Sequence, residues 1–249
     1  MSVLETVDVK KHFGDVRAVD GVDFAIDDDE VVGIIGPNGA GKTTFVNLVV
    51  GVLAPDTGTI TFDGEDVTGT AVHERARMGL TRSFQIPQVC PELTLLENVR
   101  SAVLSREGEN LSIFTLLSRE DASREEAMEL LEQFNMADQA GMLAEEIPHG
   151  QRKVLDVCMS LAMYPKVLIL DEPTSGVGTS DKDLVMGQIA DAIAQTDMAV
   201  VFIEHDMEIV AEYSDRVMAM ASGRKLVEGD PETVLEDDQV KRQIRGIDV

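Results

Sequence analysis

Residues 31–44 read VVGIIGPNGAGKTT, and this stretch decides the fold of the 249-residue chain. The first five residues form a continuous apolar run, which is typical of a strand buried on both faces of a sheet. A glycine-rich loop follows, and the helical pattern KTTFVNLVVGVL occupies 42–53. A buried strand, a tight loop and a helix in this order predict an α/β domain.

The loop GPNGAGKT at 36–43 matches the pattern G-x-x-x-x-G-K-[ST] in full, and its chemistry suits phosphate. Its glycines let the chain curl so that successive N–H groups point inward, and the following helix directs its N-terminus at the same anion. Lys42 would reach the β- and γ-phosphates, and the Thr43 hydroxyl would ligate Mg²⁺. The residues of this loop predicted to bind the nucleotide are Gly36, Pro37, Asn38, Gly39, Ala40, Gly41, Lys42, Thr43 and Thr44.

Two acids end a second buried strand, in VLILDE at 167–172. Ligands of open α/β sheets bind at the carboxyl ends of the strands, so Asp171 and Glu172 are expected at the site. Asp171 would hold Mg²⁺, usually through water, and Glu172 would orient or deprotonate an attacking water as the catalytic base.

Two further polar residues are candidates for the same site. The strand pattern VVFIEH ends at His205, which could donate a hydrogen bond to a γ-phosphate, although a histidine at a strand end is by itself unremarkable. Gln85, in RSFQIPQ, lies where the α/β pattern gives way to a helical segment. We expect Gln85 to ligate Mg²⁺ in one arrangement of the chain and to leave the metal in another.

The remaining segments alternate between strand and helix patterns. A helix is predicted over 181–195, with Leu184, Ile189 and Ile193 as its apolar residues. Strands are predicted at 2–9, 16–26, 59–63, 166–170 and 198–203, with a hairpin over 215–230 that turns at Ser222-Gly223.

The middle of the chain, about 87–164, shows helical periodicity and predicts a helical insertion in the α/β core. Within it Ser123 and Glu126 have the spacing of a capping box, which predicts that a helix begins at Ser123. The apolar face of that helix is predicted to consist of Ala127, Leu130, Leu131 and Phe134.

The charge balance restricts the function. The net charge is −25, from 46 acidic and 21 basic residues, which argues against binding free nucleic acid. The acids are spread along the chain, and we interpret them either as an ordinary solvated surface or as an adaptation to a high-salt cytoplasm. No apolar run approaches the roughly 20 residues that span a bilayer, and the start of the chain lacks a signal-peptide pattern. Cys90 and Cys158 have no metal-like spacing, and a disulfide framework is not expected.

Taken together, these motifs resemble the ATP-binding subunits of ABC transporters over roughly residues 2–240. FGDVRAVDGVDF at 13–24 is similar to the aromatic loop, which implies that Phe13 stacks on adenine and that Val19 also belongs to the nucleotide site. The resemblance extends to the segments TRSFQIPQVCPELTLLENV, DEPTSGV and FIEHDMEIV.

The resemblance implies a P-loop NTPase core, in which a RecA-like mixed sheet is joined by an antiparallel β subdomain and an inserted helical subdomain. The single ABC ATPase domain, 1–249, would divide into a core of 1–85 and 165–249 and a helical subdomain of about 86–164.

Three features resemble the ATPases of branched-chain amino-acid importers: FQ followed by ELTLLENV, the insertion at 108–125, and the tail EGDPETVLEDDQV. Close relatives in that group carry urea or short amides. The resemblance implies an ATPase that powers uptake of branched-chain amino acids. A urea or short-amide importer, a lipid-export ATPase and a non-transport ABC ATPase are the alternatives.

The resemblance also implies partners. Two such subunits, identical or different, face head to tail, and each ATP lies between the phosphate loop of one subunit and the signature segment of the other. Gly150 and Gln151 would therefore contact nucleotide in trans. Transmembrane permease subunits would hold the dimer at the cytoplasmic face of the membrane, and a substrate-binding protein would act through them.

Two stretches depart from the family pattern. The usual signature is Leu-Ser-Gly-Gly-Gln, and IPHGQ at 147–151 replaces its serine with Pro148, which has no hydroxyl to donate. His149 either begins a helix with no catalytic role or lines the partner's nucleotide site. In the D-loop, into which DEPTSGV at 171–177 leads, Gly178 replaces an aspartate that many relatives carry.

Overall fold

The computed structural model describes residues 2–83, 89–107 and 113–244. In these ranges no helix is both long and apolar enough to cross a membrane. The elements in chain order are β1 (Ser2–Phe13), β2 (Val16–Asp27), β3 (Val31–Ile35), α1 (Lys42–Val49), β4 (Thr57–Phe62), β5 (Glu65–Asp66), α2 (Val72–Met78), β6 (Leu80–Arg82), α3 (Leu95–Glu107), α4 (Ile113–Gln133), α5 (His149–Leu161), β7 (Val167–Asp171), α6 (Lys182–Ile193), β8 (Ala199–Ile203), α7 (Met207–Tyr213), β9 (Arg216–Ala221), β10 (Arg224–Gly229), α8 (Pro231–Glu236) and α9 (Asp238–Gln243).

The chain divides into two compact units. The first unit contains Met1–Arg82, Lys166–Glu172 and Asp197–Val249, and the second contains Ser83–Pro165 and Pro173–Thr196. The segment Pro173–Thr196, with α6, therefore groups with the helical middle of the chain and not with the sheets.

A six-stranded sheet in the order β10-β9-β3-β8-β7-β6 forms the centre of the first unit. All neighbours in it are parallel except β10, which pairs antiparallel with β9. Every residue of β7 and β8 is buried, which explains why these strands read as continuous apolar runs. Because β3, β8 and β7 are adjacent and parallel, the segments that follow them emerge at the same edge of the sheet.

The second sheet of this unit is antiparallel, in the order β2-β1-β4-β5. Phe24 of β2 packs edge-on against Phe45 of α1, with ring centroids 5.8 Å apart, so the sheet shares a core with the helix after the phosphate loop. The predicted strands are confirmed, and β1 and β2 are longer than predicted. The predicted hairpin is also confirmed, because Ser222 and Gly223 both have positive φ, 50° and 78°, at the turn between β9 and β10.

The second unit is helical, and the predicted apolar face is confirmed, since Ala127, Leu130 and Leu131 of α4 and Phe134, which follows the helix, are all buried. The predicted helix start at Ser123 is wrong. Helix α4 begins at Ile113, so Ser123 lies inside it, where its buried hydroxyl accepts a hydrogen bond from Arg100 Nε at 3.0 Å. The serine therefore serves packing between helices and does not cap one.

The apolar face predicted for 181–195 needs a second correction. Ile189 and Ile193 of α6 are buried, as predicted, but Leu184 is 63% exposed. The face of α6 turned inward is completed instead by Val185 and Met186, which lie on the helical spacing that continues to Ile189.

Candidate nucleotide-binding site

The glycine-rich loop between β3 and α1 is shaped by close backbone contacts. Gly41 has φ +100°, and a Cβ at this position would lie 2.2 Å from the carbonyl oxygen of Ala18 on β2. A Cβ on Gly36 would lie 2.4 Å from the carbonyl oxygen of Met220 on β9. Only glycine fits at both positions, so the loop packs closely against the neighbouring strands and forms a compact cradle. The tip of this cradle, at Asn38 and Gly39, is exposed.

The ammonium group of Lys42 lies within this cradle. Its Nζ donates hydrogen bonds to the carbonyl oxygen of Gly36 at 2.6 Å and to that of Pro37 at 3.2 Å. Burial lowers the pKa of Lys42, while the carboxylates of Glu172 and Asp171 act in the opposite direction. A buried cation that is held by carbonyl groups is suited to an anionic ligand, because a phosphate oxygen is a stronger hydrogen-bond acceptor than a carbonyl.

The first turn of α1 supports the same interpretation. It contains no acidic residue, so the positive end of the helix dipole is not neutralised by its own side chains. Thr43 is exposed and Thr44 is partly exposed there, while Ala40 is buried beneath the loop and accepts a hydrogen bond from the Gly223 N–H at 2.9 Å. The predicted loop residues therefore lie around the N-terminus of α1, where no acidic side chain of the first turn would oppose an anion.

The acid pair lies at the carboxyl end of β7. Asp171 is the last residue of the strand and is buried, and its Oδ2 accepts a hydrogen bond from Arg82 at the end of β6. Glu172 follows with φ +51°, in the left-handed region that residues with a Cβ rarely adopt. Its backbone N–H donates to the carbonyl oxygen of Ile203 on β8 at 3.0 Å, which fixes this strained conformation.

His205 lies two residues beyond the end of β8 and contacts the predicted base. The distance between His205 Nε2 and Glu172 Oε1 is 3.1 Å, and both side chains are partly open to solvent. The structure thus brings together Lys42, Asp171, Glu172 and His205 in the first unit, and the roles expected of them at a nucleotide stay predictions. Gln85 lies outside the described residues.

The aromatic-loop residues occupy different environments. Phe13, at the end of β1, is 50% exposed, and Lys11 Nζ lies over its ring, 5.8 Å from the centroid, so the predicted stacking on adenine stays a prediction. Val19 of β2 is fully buried in the apolar core, next to the Ala18 carbonyl that faces Gly41. Its side chain therefore presents no open surface at the site.

The signature residues lie in the second unit, at the N-terminus of α5. Pro148 is the N-cap residue, with φ −57° and ψ 155°, and the helix begins at His149. A Cβ added to Gly150 would lie 3.0 Å from Val185 Cγ2, so this glycine packs closely against α6. The Oε1 atom of Gln151 is buried without a hydrogen-bond partner among the described residues.

The same end of α5 is attached to the segment that follows Glu172. The imidazole Nε2 of His149 would be 3.2 Å from a Cβ on Gly176, and buried Lys153 donates a hydrogen bond to Ser175 Oγ at 2.9 Å. His149 thus lies against the D-loop backbone of its own chain, and the sequence gives no signal for this contact.

Arg82 and Asn47 are further polar residues of the first unit that sequence reasoning missed. Arg82 Nη1 donates to Asn47 Oδ1 at 2.6 Å while its other terminal nitrogen contacts Asp171. An isolated arginine at a strand end matches no motif, and only the pairing of β6 with β7 places it beside the acid.

The donor set fits a magnesium nucleotide. Among the residues that the structure describes, no cluster of three or more His, Cys, Asp or Glu could hold a metal by itself. Mg²⁺ does not require such a cage, because it is commonly held by one or two protein oxygens together with water and substrate phosphates. The Thr43 hydroxyl and the Asp171 carboxylate are oxygen groups of that kind, and their role as Mg²⁺ ligands stays a prediction.

Comparison with known proteins agrees with this geometry. A family model described as ABC transporter matches residues 19–175. The high-affinity branched-chain amino acid transport ATP-binding protein BraF of Pseudomonas aeruginosa is 33% identical, over 98% of this chain and 98% of its own. The lipopolysaccharide export system ATP-binding protein LptB of Haemophilus influenzae is 31% identical, over 99% of this chain and 98% of its own.

A solved structure supports the assignment of the fold. The crystal structure of an ATP-binding cassette of an ABC transporter in its ADP conformation is similar with a TM-score of 0.85 and 28% identity, over 99% of this chain and 100% of that chain. The predicted P-loop NTPase fold and the predicted resemblance to ATPases of branched-chain amino-acid transport are both confirmed. The chain belongs to the ABC transporter family, as one of its ATP-binding, ATP-hydrolysing cassettes.

Proposed function

We propose that this chain is the ATP-binding subunit of an ABC importer, and that it hydrolyses ATP at a head-to-tail interface between two such subunits to power uptake of branched-chain amino acids. One observation carries the catalytic part of this proposal: Lys42, Glu172 and His205 meet where β3, β7 and β8 end, with Glu172 and His205 in contact at 3.1 Å. A phosphate-binding cation and a carboxylate base lie side by side at the edge of the sheet where ligands bind.

The chemistry follows from these groups. The loop N–H groups and Lys42 bind the β- and γ-phosphates, and the exposed face of Phe13 stacks on adenine. Glu172 accepts a proton from water as the water oxygen attacks the γ-phosphorus. The bond between that phosphorus and the β–γ bridging oxygen breaks, and ADP and inorganic phosphate leave.

A magnesium ion and His205 complete this site. Thr43 and Asp171, with Gln85 as a further candidate, would hold Mg²⁺, which supplies positive charge to the phosphate oxygens when bound. His205, which contacts Glu172 at 3.1 Å, orients that carboxylate and donates to the γ-phosphate when nucleotide is present.

The signature segment is proposed to act on the partner's nucleotide. The N-terminus of α5 begins at His149, and helix N-termini favour anions, so the Gly150 and Gln151 region retains anion-binding character even though Pro148 has no hydroxyl. The second subunit is either another copy of this chain or a related cassette. The core of 1–85 and 165–249 would bind nucleotide, and the helical subdomain of about 86–164 would carry the motion to the permease.

Import of branched-chain amino acids is supported by the relatives that carry this function in their names and match the chain over nearly its whole length. The lipid-export relative is almost as similar, so lipid export is the second candidate, ahead of urea or short-amide import and of a non-transport role. Permease subunits would hold the protein at the cytoplasmic face of the membrane, and a substrate-binding protein would deliver the cargo to them.

Replacing Glu172 with glutamine tests the catalytic proposal, because the amide keeps the side-chain shape and removes the base. We expect E172Q to retain ATP affinity and to lose turnover by about 10²–10⁴-fold, the usual contribution of a general base. Size-exclusion chromatography with ATP should then show a trapped dimer, while wild type stays monomeric as it hydrolyses. Turnover by E172Q at the wild-type rate would refute the assignment of the base.

Reconstitution tests the transport proposal. The chain should co-purify with permease subunits encoded beside it, and ATP hydrolysis by that complex in liposomes should rise with a binding protein loaded with leucine, isoleucine or valine. Stimulation by lipid cargo alone would favour the export alternative.

High-salt adaptation is proposed for the acidic surface. Asp121, Glu125, Glu129 and Glu132 are exposed on one stretch of α4, three or four residues apart, and like charges at this spacing destabilise a helix by about 0.2–0.5 kcal/mol per pair. Salt screens this repulsion. The thermal midpoint should therefore rise strongly between dilute buffer and molar KCl, and an unchanged midpoint would contradict the proposal.

A further inference from the structure

A partly buried arginine links Asp171, one of the ligands proposed for Mg²⁺, to Asn47 on the helix that carries Thr43, another proposed ligand. Arg82 ends β6, and its guanidinium donates from Nη2 to Asp171 Oδ2 and from Nη1 to Asn47 Oδ1 at 2.6 Å. The side chain of Arg82 is 13% exposed and that of Asp171 is 5% exposed, so the bridge is largely shielded from water.

Asn47 links this bridge to the phosphate-loop helix. Thr43 and Asn47 are four residues apart on α1, a spacing that places them on the same helical face one turn apart. Arg82 therefore holds the strand that carries Asp171 against the helix face that carries Thr43. Arg82 is thus a direct side-chain link between the strand and the helix that carry these two proposed ligands.

The bridge also gives the two oxygens of the Asp171 carboxylate different roles. Among the described residues, the hydrogen bond to Arg82 engages Oδ2, which orients the carboxylate and leaves Oδ1 for a metal-bound water. A guanidinium suits this task because its donors are fixed in one plane, whereas a lysine ammonium is a single point charge on a flexible chain. Groups that orient a metal ligand in this way typically change metal affinity by about 10–100-fold when removed.

We propose that Arg82 is a positioning residue for the magnesium-nucleotide site, holding Asp171 and, through Asn47, the Thr43 face of α1 in register. This inference rests on the proposed function, in which Thr43 and Asp171 hold the metal. A simpler possibility is that Arg82 only neutralises a buried carboxylate and so stabilises the fold.

Calorimetry with a non-hydrolysable ATP analogue separates these possibilities without measuring turnover. The relevant quantity is the ratio of analogue affinity with Mg²⁺ to analogue affinity in EDTA, checked by Mn²⁺ binding to the analogue complex by electron paramagnetic resonance. R82M and R82K should both lower this ratio by about tenfold, with little change of affinity in EDTA. N47L, which keeps the ion pair but removes the link to α1, should give a smaller loss in the same direction.

R216K is the matched control. Arg216 makes a comparable bridge in the same unit, from Glu30 at 2.7 Å to Glu228 and the Ala25 carbonyl, away from the phosphate loop. Its replacement should lower the thermal midpoint and leave the magnesium ratio unchanged. If R82K has the wild-type ratio, or if N47L does, the positioning role is refuted and neutralisation suffices.

The same assay distinguishes failure of this inference from failure of the proposed function. D171A should abolish the magnesium-dependent gain in affinity. If D171A loses that gain while R82M and R82K keep it, the metal site stands and Arg82 has no part in it. If D171A keeps the gain, the assignment of Asp171 as a metal ligand is itself wrong.

Discussion

Glycine at position 172 should make the nucleotide-free protein more stable than alanine at the same position. Glu172 has φ +51°, a left-handed conformation in which its backbone N–H is held by Ile203 on the adjacent strand at 3.0 Å. A Cβ in this region costs about 1–2 kcal/mol, and glycine escapes the cost. Glycine also gives the unfolded chain more conformational freedom, which lowers the free energy of unfolding by about 0.5–1 kcal/mol. We therefore expect E172G to exceed E172A in unfolding free energy by about 1 kcal/mol or slightly less.

The comparison isolates the backbone because both variants lose the carboxylate and its contact with His205. Urea unfolding should be followed by circular dichroism, since the chain has no tryptophan to report by fluorescence. E212G and E212A are the control pair, because Glu212 is exposed on the ordinary helix α7 of the same unit. Alanine should be the more stable of that pair, by at most about 1 kcal/mol, which is the preference for alanine over glycine in helix interiors.

Equal stability of the two Glu172 variants, or an advantage for alanine, would refute the proposal that the site stores backbone strain. Neither variant should hydrolyse ATP, because neither retains the base. The expected result would mean that the catalytic carboxylate is held in place at a cost in stability, which the neighbouring strands offset.

Three further predictions concern the loop and the two units. Gly41→Ala should lose ATP binding and at least about 3 kcal/mol of stability in urea unfolding, because its Cβ would lie 2.2 Å from the Ala18 carbonyl oxygen; normal nucleotide affinity would contradict the cradle. Arg75→Met should destabilise the first unit by about 3–5 kcal/mol in the same assay, because it leaves four carbonyl groups of a buried site without their charged donor. A loss under about 1 kcal/mol would show that water replaces the guanidinium as donor. The hydrogen bond from Arg106 lowers the pKa of Glu126 below its ordinary 4.5, so their pairing stabilises the fold above pH 4.5, and this stabilisation is lost as the pH falls further. E126Q should therefore reduce the decrease of the thermal midpoint between pH 4.5 and lower pH. An unchanged decrease would contradict the pairing.

The sequence by itself determined the strand-loop-helix unit, the carboxyl-end acids and the family. These features are local, because a glycine loop of fixed spacing and continuous apolar strands have few alternative structures. The stretches VVGIIGPNGAGKTT and VLILDE therefore predict their own secondary structure and the polar residues at their strand ends. The prediction that the helix begins at Ser123 failed for a related reason. A capping-box spacing does not say whether helix already precedes it, and α4 does precede it.

Only the tertiary structure decided which side chains meet. That Glu172 contacts His205, that Arg82 spans Asn47 and Asp171, and that His149 lies beside Gly176 all depend on the order in which strands and helices pack. The contacting residues are 27 to 89 positions apart in the chain, and no local preference of the chain encodes these contacts. Their physical origin is the parallel pairing of β6, β7 and β8, which brings distant strand ends to one edge of the sheet, and the packing of α5 in the second unit.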